Sequence, residues 1–109
     1  MNAEKLCEKC GFTPIALPSP EKEVDGAYVG DLLSWVMGNA SSGNVWITIM
    51  SNVNIVAVAT LADVCAILLC EGVKPEDEIV KLALSKGVNV IGTELSSYEA
   101  AIAVSRALE

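Results

Sequence analysis

From Val53 to Cys70 the chain is apolar almost without a break, interrupted at Asn54 and Asp63. The stretch is long enough to raise the question of a membrane span, but an aspartate near the centre of a bilayer is costly. A better reading divides it in two. Ile55 to Ala62 is a helix, capped by Asn52 or Asn54, whose alanines let it pack close to a sheet. Val64 to Leu69 shows no alternation of apolar and polar residues, the pattern of a strand buried on both faces. Such a strand needs cover on each side, which points to layered α/β architecture.

The flanking segments continue the alternation. Asn2 caps a first helix that Gly11 ends. Phe12 to Leu17 reads as a short strand, and Pro18, Ser19 and Pro20 break the chain into a loop. The segment Pro18 to Lys22 is expected to be the one loosely tied part of the chain. Glu23 to Val29 is a second strand with a kink at Gly26, and Gly30 opens a helix through Met37 with Leu32, Leu33, Val36 and Met37 on its apolar side. After the turn cluster Gly38 to Asn44, the β-branched run Val45 to Met50 is a central strand, followed by a polar loop from Ser51 to Asn54. Pro75 starts another helix, with Glu76, Asp77 and Glu78 at the positive end of its dipole. Its apolar stripe is Ile79, Leu82 and Ala83, and Gly87 stops it. Val88 to Ile91 is the last strand. Ser96 and Glu99 form a capping box for a final helix, with Tyr98, Ala101, Ile102, Ser105 and Leu108 on its inner side. The order αββαβαβαβα predicts a largely parallel sheet covered by helices, and 109 residues suit one such domain over 1–109.

Charge narrows the function. Fourteen acidic against seven basic residues give a net charge of −7, and Arg106 is the single arginine. Nucleic-acid binding needs a basic footprint, and an anionic membrane surface would repel this chain. The lack of histidine excludes a Ser-His-Asp triad, a His-ligated metal and a phosphohistidine carrier. Met1 to Gly11 is polar and charged, with no apolar segment after it, so no secretory signal peptide is expected. The expected compartment is the cytoplasm, where four cysteines are free thiols. Cys7 and Cys10 form a C-x-x-C. Zinc would need two further ligands, from Cys65 and Cys70 or from carboxylates, and a thioredoxin-like site would sit where a strand feeds a helix. Here the pair lies inside a short helix and shares a face with Leu6, where cysteine acts as a small hydrophobe. Core packing is the expected role, with a metal or redox site at Cys7 and Cys10 as the alternative. No cofactor is expected.

Ligands of open α/β sheets bind outside the carboxyl ends of the strands. Three loops meet there: Gly30, Asp31 and Ser34; Thr48, Ser51, Asn52 and Asn54; and Thr93, Glu94, Ser96 and Ser97. Helix N-termini in such loops present free N–H groups and a positive dipole end, which suit a phosphate or carboxylate. The same residue types cap helices everywhere. A single cap needs one such side chain, however, and Ser51 to Asn54 supplies three. Gly38 and Gly43 have the G-x-x-x-x-G spacing of a phosphate-binding loop, but Asn44 and Val45 stand where that motif requires Lys and Ser or Thr, and the segment runs from helix to strand. That motif is rejected. Asp31 and Glu94 are the two acids near the inferred pocket, and no nucleophile partners them. Trp35 and Trp46 read as core or interface anchors.

The segment Ala27 to Thr60, AYVGDLLSWVMGNASSGNVWITIMSNVNIVAVAT, resembles the DRTGG domain, most specifically in TIMSNVNIVAVA. That module is in turn similar to the N-terminal domain of HPr kinase/phosphorylase. The continuation through ILLCEGVKPEDEIVKLALSKGVNVIGTELSSYE fits the stand-alone version. The motif that names the family is eroded: Val24, Asp25, Gly26 and Ala27 stand in its place, with no arginine. The resemblance implies a layered α/β fold with a mixed, mostly parallel sheet of about five strands, and a regulatory or accessory module, often dimeric, without established catalysis. The kinase's catalytic domain and its phosphate-binding loop are not in these residues.

Residues and resemblance together lead to a non-catalytic regulatory homodimer that binds a small anionic metabolite or nucleotide. Asp31, Ser34, Thr48, Ser51, Asn52, Asn54, Thr93 and Ser96 would line the site. The rivals are an assembly domain docking through an apolar face around Trp35, a C-x-x-C metal or redox protein, and an enzyme using Asp31 or Glu94.

Overall fold

A computed structural model describes all of residues 1–109. Its elements are α1 (Ala3–Cys10), β1 (Thr13–Ala16), β2 (Ala27–Val29), α2 (Leu33–Asn39), β3 (Val45–Thr48), α3 (Asn54–Ala62), β4 (Ala66–Leu69), α4 (Asp77–Lys86), β5 (Val90–Gly92) and α5 (Ser97–Ala107). The strands form one sheet in the order β1-β5-β4-β3-β2. β2 to β5 are parallel, and β1 joins β5 antiparallel. This is the layered, mixed α/β fold the sequence predicts.

The topology follows from one rule. Parallel strands added one beside the next, each through a crossover of the same hand, place every crossover helix on the same face. α2, α3 and α4 accordingly share one side of the sheet, and α1 and α5 cover the other. β3 and β4 are buried at every residue, so their side chains divide by the strand alternation into two cores. Val45, Ile47, Ala66, Leu68 and Ile91 pack with Leu6, Ala100 and Val104 beneath α1 and α5. Trp46, Ile67, Leu69 and Val90 pack with Val36, Ile55, Ala59 and Ile79 beneath the crossover helices.

The local stop and start signals act where the sequence places them. Asn2 Oδ1 accepts the Lys5 N–H at 2.9 Å. Gly11 and Gly87 each end a helix at φ +72°, a conformation glycine adopts without a Cβ penalty. Ser96 and Glu99 form the capping box of α5.

Several elements differ from expectation; α4, for one, starts at Asp77 rather than at Pro75. The segment Pro18 to Lys22 is tied down rather than loose. Asn89, 1% exposed, donates to the Ser19 and Cys65 carbonyls at 2.7 and 3.0 Å and accepts from the Ser19 N–H at 2.9 Å. The Lys22 Nζ donates to Asp63 Oδ1 at 2.9 Å. The second strand shortens to Ala27–Val29, with Glu23 left in an isolated bridge to Asn2. α2 starts at Leu33 rather than Gly30, because Asp31 is drawn across to β3. Of its expected apolar side, Val36 is fully buried, while Leu32 and Met37 are exposed. The last strand is Val90–Gly92. On α5 the inner residues are Ala100, Val104 and Ala107, and Tyr98 is 76% exposed. Alanines let the helix lie close to the sheet, so reading its face by side-chain size selects the wrong side.

Candidate functional site at the strand exits

The exits of β2 and β3 are joined by side chains. Asp31 leaves β2 and reaches sideways, so that its Oδ1 accepts from the Thr48 hydroxyl at 2.8 Å and from the Ile49 N–H at 3.1 Å. Thr48, 0% exposed, in turn accepts the Met50 N–H at 3.1 Å through Oγ1. From the crossover layer below, the buried Trp46 indole donates Nε1–H to the Gly30 carbonyl at 2.8 Å. These bonds satisfy polar groups that the end of the sheet would otherwise leave unpaired. They also hold the chain at 30–31 against 46–50. Thr48 belongs to the site through Asp31, a pairing made by strand order and not by sequence distance.

α3 begins directly beyond this staple. Its N-cap, Val53, offers no side-chain bond, and its first turn carries no acidic residue. Asn52 Oδ1 accepts the Asn54 N–H at 2.9 Å, a local turn of the kind asparagine favours. Ser51 is half-buried, and Asn52 and Asn54 are exposed. Ser34 sits on the outside of the first turn of α2.

The exits of β4 and β5 form a separate unit. The Gly72 N–H donates to the Thr93 carbonyl at 3.0 Å and the Glu71 N–H to the Leu95 carbonyl at 2.9 Å. Thr93 Oγ1 accepts the Leu95 N–H at 3.2 Å. Gly72 has φ +72°, and a Cβ there would come within 2.6 Å of the Glu94 carboxylate. Ser96 is committed to capping: its Oγ accepts the Glu99 N–H at 3.2 Å, and Glu99 Oε1 accepts the Ser96 N–H at 3.0 Å. Hydrogen bonds from the Ser96 N–H and hydroxyl hold the Glu99 carboxyl below its ordinary range. The N-terminus of α5 is therefore occupied by its own anion, and that of α4 carries Asp77 and Glu78. Among the eight expected residues, Asp31 and Thr48 are in contact, and Ser51, Asn52 and Asn54 follow them. Thr93 and Ser96 belong to the other unit.

Sequence reading missed Cys70 as part of this end of the sheet. Its N–H donates to the Thr48 carbonyl at 3.0 Å, and its fully buried thiol is pushed up in pKa chiefly by burial, against a hydrogen bond with Ser97 that lowers it; the charges of Glu71 and Asp31 raise it further. The position of Cys70 one residue past β4, level with Asp31, was the available signal. The structure has two cavities, and neither includes these residues. One of 360 Å³ lies between α3 and α4, against Val56, Leu61, Leu82 and Lys86. The other, of 280 Å³, lies against α5 at Leu95, Ile102 and Arg106.

Cys7 and Cys10 lie on α1, Cys7 buried against the core and Cys10 with Sγ 3.6 Å from the Ala103 carbonyl. Burial, with smaller contributions from Cys10 and Glu8, pushes the Cys7 thiol up to about 11. It is thus a poor thiolate, and thiolate is the nucleophilic and metal-binding form. Nowhere do three His, Cys, Asp or Glu side chains come together as a metal would require. No helix is long and apolar enough to cross a membrane.

The architecture is that of layered α/β domains built on a mixed five-stranded sheet, and a solved structure shares it. The CBS and DRTGG domains of the regulatory region of Clostridium perfringens pyrophosphatase superpose with a TM-score of 0.70 at 17% identity, over 94% of this chain and 45% of that one. The sequence profile of the DRTGG domain matches residues 28–107, and the chain belongs to that family. It spans less than half the length of the pyrophosphatase region it superposes on. No curated protein sequence matches it significantly.

Proposed function

We propose that the protein is a cytoplasmic, non-catalytic regulatory module that works as a homodimer and binds a small anionic metabolite or nucleotide at the exits of β2 and β3. The observation that carries this is the start of α3. Of the helices that follow parallel strands, α4 and α5 place carboxylates in their own first turns, whereas α3, like α2, has none and lacks an N-cap side-chain bond; α3 has in addition the uncharged polar Ser51, Asn52 and Asn54 at its start. A helix N-terminus of that kind favours an anion, through its N–H groups and the end of its dipole. Ser51, Asn52 and Asn54 would add uncharged hydrogen bonds, and the Asp31–Thr48 pair would fix the edge of the site. Ser34 would stand at its margin, and Thr93 and Ser96 fall outside it.

Family membership supports a regulatory role. The pyrophosphatase regulatory region was crystallised with an activator, diadenosine tetraphosphate, so an adenine dinucleotide is the first ligand to test. The expected result is a thermal shift with diadenosine tetraphosphate or with a mononucleotide. A ligand at a hundredfold its Kd adds about 2.7 kcal/mol. Asn52→Ala is expected to abolish the shift and to leave the circular dichroism spectrum unchanged. Absence of any shift with nucleotides and phosphorylated metabolites at millimolar concentration would end the ligand reading. The second reading, an assembly module without a ligand, is favoured by the exposed apolar face of α2.

A further inference from the structure

From Leu32 to Ala62 no side chain carries a charge, a run of 31 residues in a chain that is 19% charged overall. Part of that run is buried and needs no charge. α2 is not buried: Val36 is its one fully covered residue, while Leu32 is 67% exposed, Trp35 63% and Met37 45%. A helix facing water ordinarily carries charge on its outer side. Loss of charge together with gain of Trp and Met is the composition of an interface core.

The shape of the face indicates what covers it. By helical periodicity Ser34 and Gly38 point away from the buried Val36, with Trp35 on one flank and Met37 on the other. Nothing lies within 4 Å of where a Gly38 Cβ would stand. The face thus carries a large knob, Trp35, and beside it a shallow hole over Ser34 and Gly38. A two-fold interface needs both on the same surface, since each copy meets the other with the same patch. Charge selects in the same direction. Two copies at −7 each repel, and this uncharged face is where the repulsion of close approach is least.

Area sets the strength. Leu32, Trp35 and Met37 expose on the order of 350 Å² of apolar surface between them, within the range of a monomer's largest patch. Two copies would cover about 700 Å² of it, below the size of a standard specific interface, so the contact is expected to be weak and to dissociate on dilution.

We infer that α2 is the homodimer interface, packing against α2 of a second copy with each Trp35 seated in the shallow hole over the partner's Ser34 and Gly38. This rests on the homodimer reading above and gives it a location. Ser34 then belongs to the interface and not to the ligand site.

Sedimentation equilibrium tests it, with the wild-type chain and four variants at about 100 μM and over a dilution series. The wild type is expected at twice 11.4 kDa, dissociating on dilution, with Trp35 emission shifting red as it becomes wet. Trp35→Glu places a charge in the seam, and Gly38→Gln fills the hole while improving helix propensity. Both are expected at 11.4 kDa with unchanged circular dichroism. Leu84→Glu on α4 and Tyr98→Glu on α5 alter other exposed apolar residues and are expected to remain dimers. A monomeric wild type would overturn the homodimer reading itself. A dimeric wild type whose Trp35→Glu and Gly38→Gln variants also dimerise would overturn this interface and leave the homodimer standing.

Discussion

The two helical layers bury the same sheet with equal cores of fourteen residues each, yet they meet the solvent differently. Outside the α1–α5 layer stand Glu4, Lys5, Glu8, Lys9, Glu99 and Arg106, in the ordinary mixed-charge pattern of a water-facing surface. In the other layer α4 is similarly charged, but α2 and α3 carry no charge at all. Burying the sheet needs the same chemistry on both sides, so the fold does not account for this difference. It marks the β2–β3 side as unfinished for water. The start of α3, free of carboxylates, and the Asp31–Thr48 staple lie on that same side, so both proposed contacts, with a ligand and with a second copy, fall on one half of the molecule.

If the layers are equal as cores, truncation in either should cost the same. Leu68→Ala, under α5, and Trp46→Ala, under α2, are each expected to lose about 3–5 kcal/mol, from lost transfer energy plus the cavity left behind. Urea unfolding followed by circular dichroism measures both. A single transition shifted equally in the two variants supports equivalence. A Trp46→Ala variant that lost the crossover layer in a separate, earlier transition would break the comparison.

Alkaline pH separates the layers, because all the buried thiols belong to the α1–α5 core: Cys7, Cys65 and Cys70. Burial is the largest cause raising Cys7 and Cys65, each from 9.0 to about 11. Above pH 9 the unfolded chain releases protons that the folded chain retains, so stability is full below pH 9 and falls as pH rises toward 11. At pH 10 the expected loss is about 1.4 kcal/mol per thiol, or near 3 kcal/mol for the two. Serine at Cys7 and Cys65 together should flatten that fall in a pH series of urea midpoints. An unchanged slope in the double variant would show that other groups govern the alkaline limb.

Thr48→Val tests the staple on the unfinished side. The swap keeps the shape and removes the donor to Asp31 and the acceptor of the Met50 N–H. A loss of about 1–2 kcal/mol is expected, the cost of leaving such partners unpaired. Hydrogen exchange should show it at Ile49 and Met50 ahead of β4.

What was legible in the sequence is what short-range chemistry decides. Asn2, Gly11, Gly87 and the Ser96–Glu99 box act within a few residues, and they stand where expected. The start of α2 was misplaced because Asp31 answers to Thr48, seventeen residues on, and no local pattern contains that pairing. The segment Pro18 to Lys22 looked loose because its anchor, Asn89, is seventy residues from Ser19. For the site, the rule that ligands meet strand ends brought Asp31, Thr48 and Ser51–Asn54 to one place. That rule by itself does not separate α3 from α5; the Ser96–Glu99 box, readable in the sequence, does, because Glu99 already occupies the start of α5. The face of α5 was misread because alanines make its contact.

The smallest expected effect bears most directly on the contrast between the layers. Tyr98 on α5 and Trp35 on α2 are both large, aromatic and mostly exposed. As surface residues of an isolated chain, each should tolerate alanine within about 0.5 kcal/mol. Tyr98→Ala should show that value at every protein concentration. Trp35→Ala should show it only in dilute solution. At higher concentration the wild type gains stability by mass action through association, and Trp35→Ala does not. Melting temperatures measured over a hundredfold range of concentration read the difference. A wild-type midpoint that rises with concentration, beside a flat one for Trp35→Ala, would show that α2 and α5 differ in what covers them. Parallel behaviour of the two alanine variants would reduce the uncharged run to a feature of composition alone.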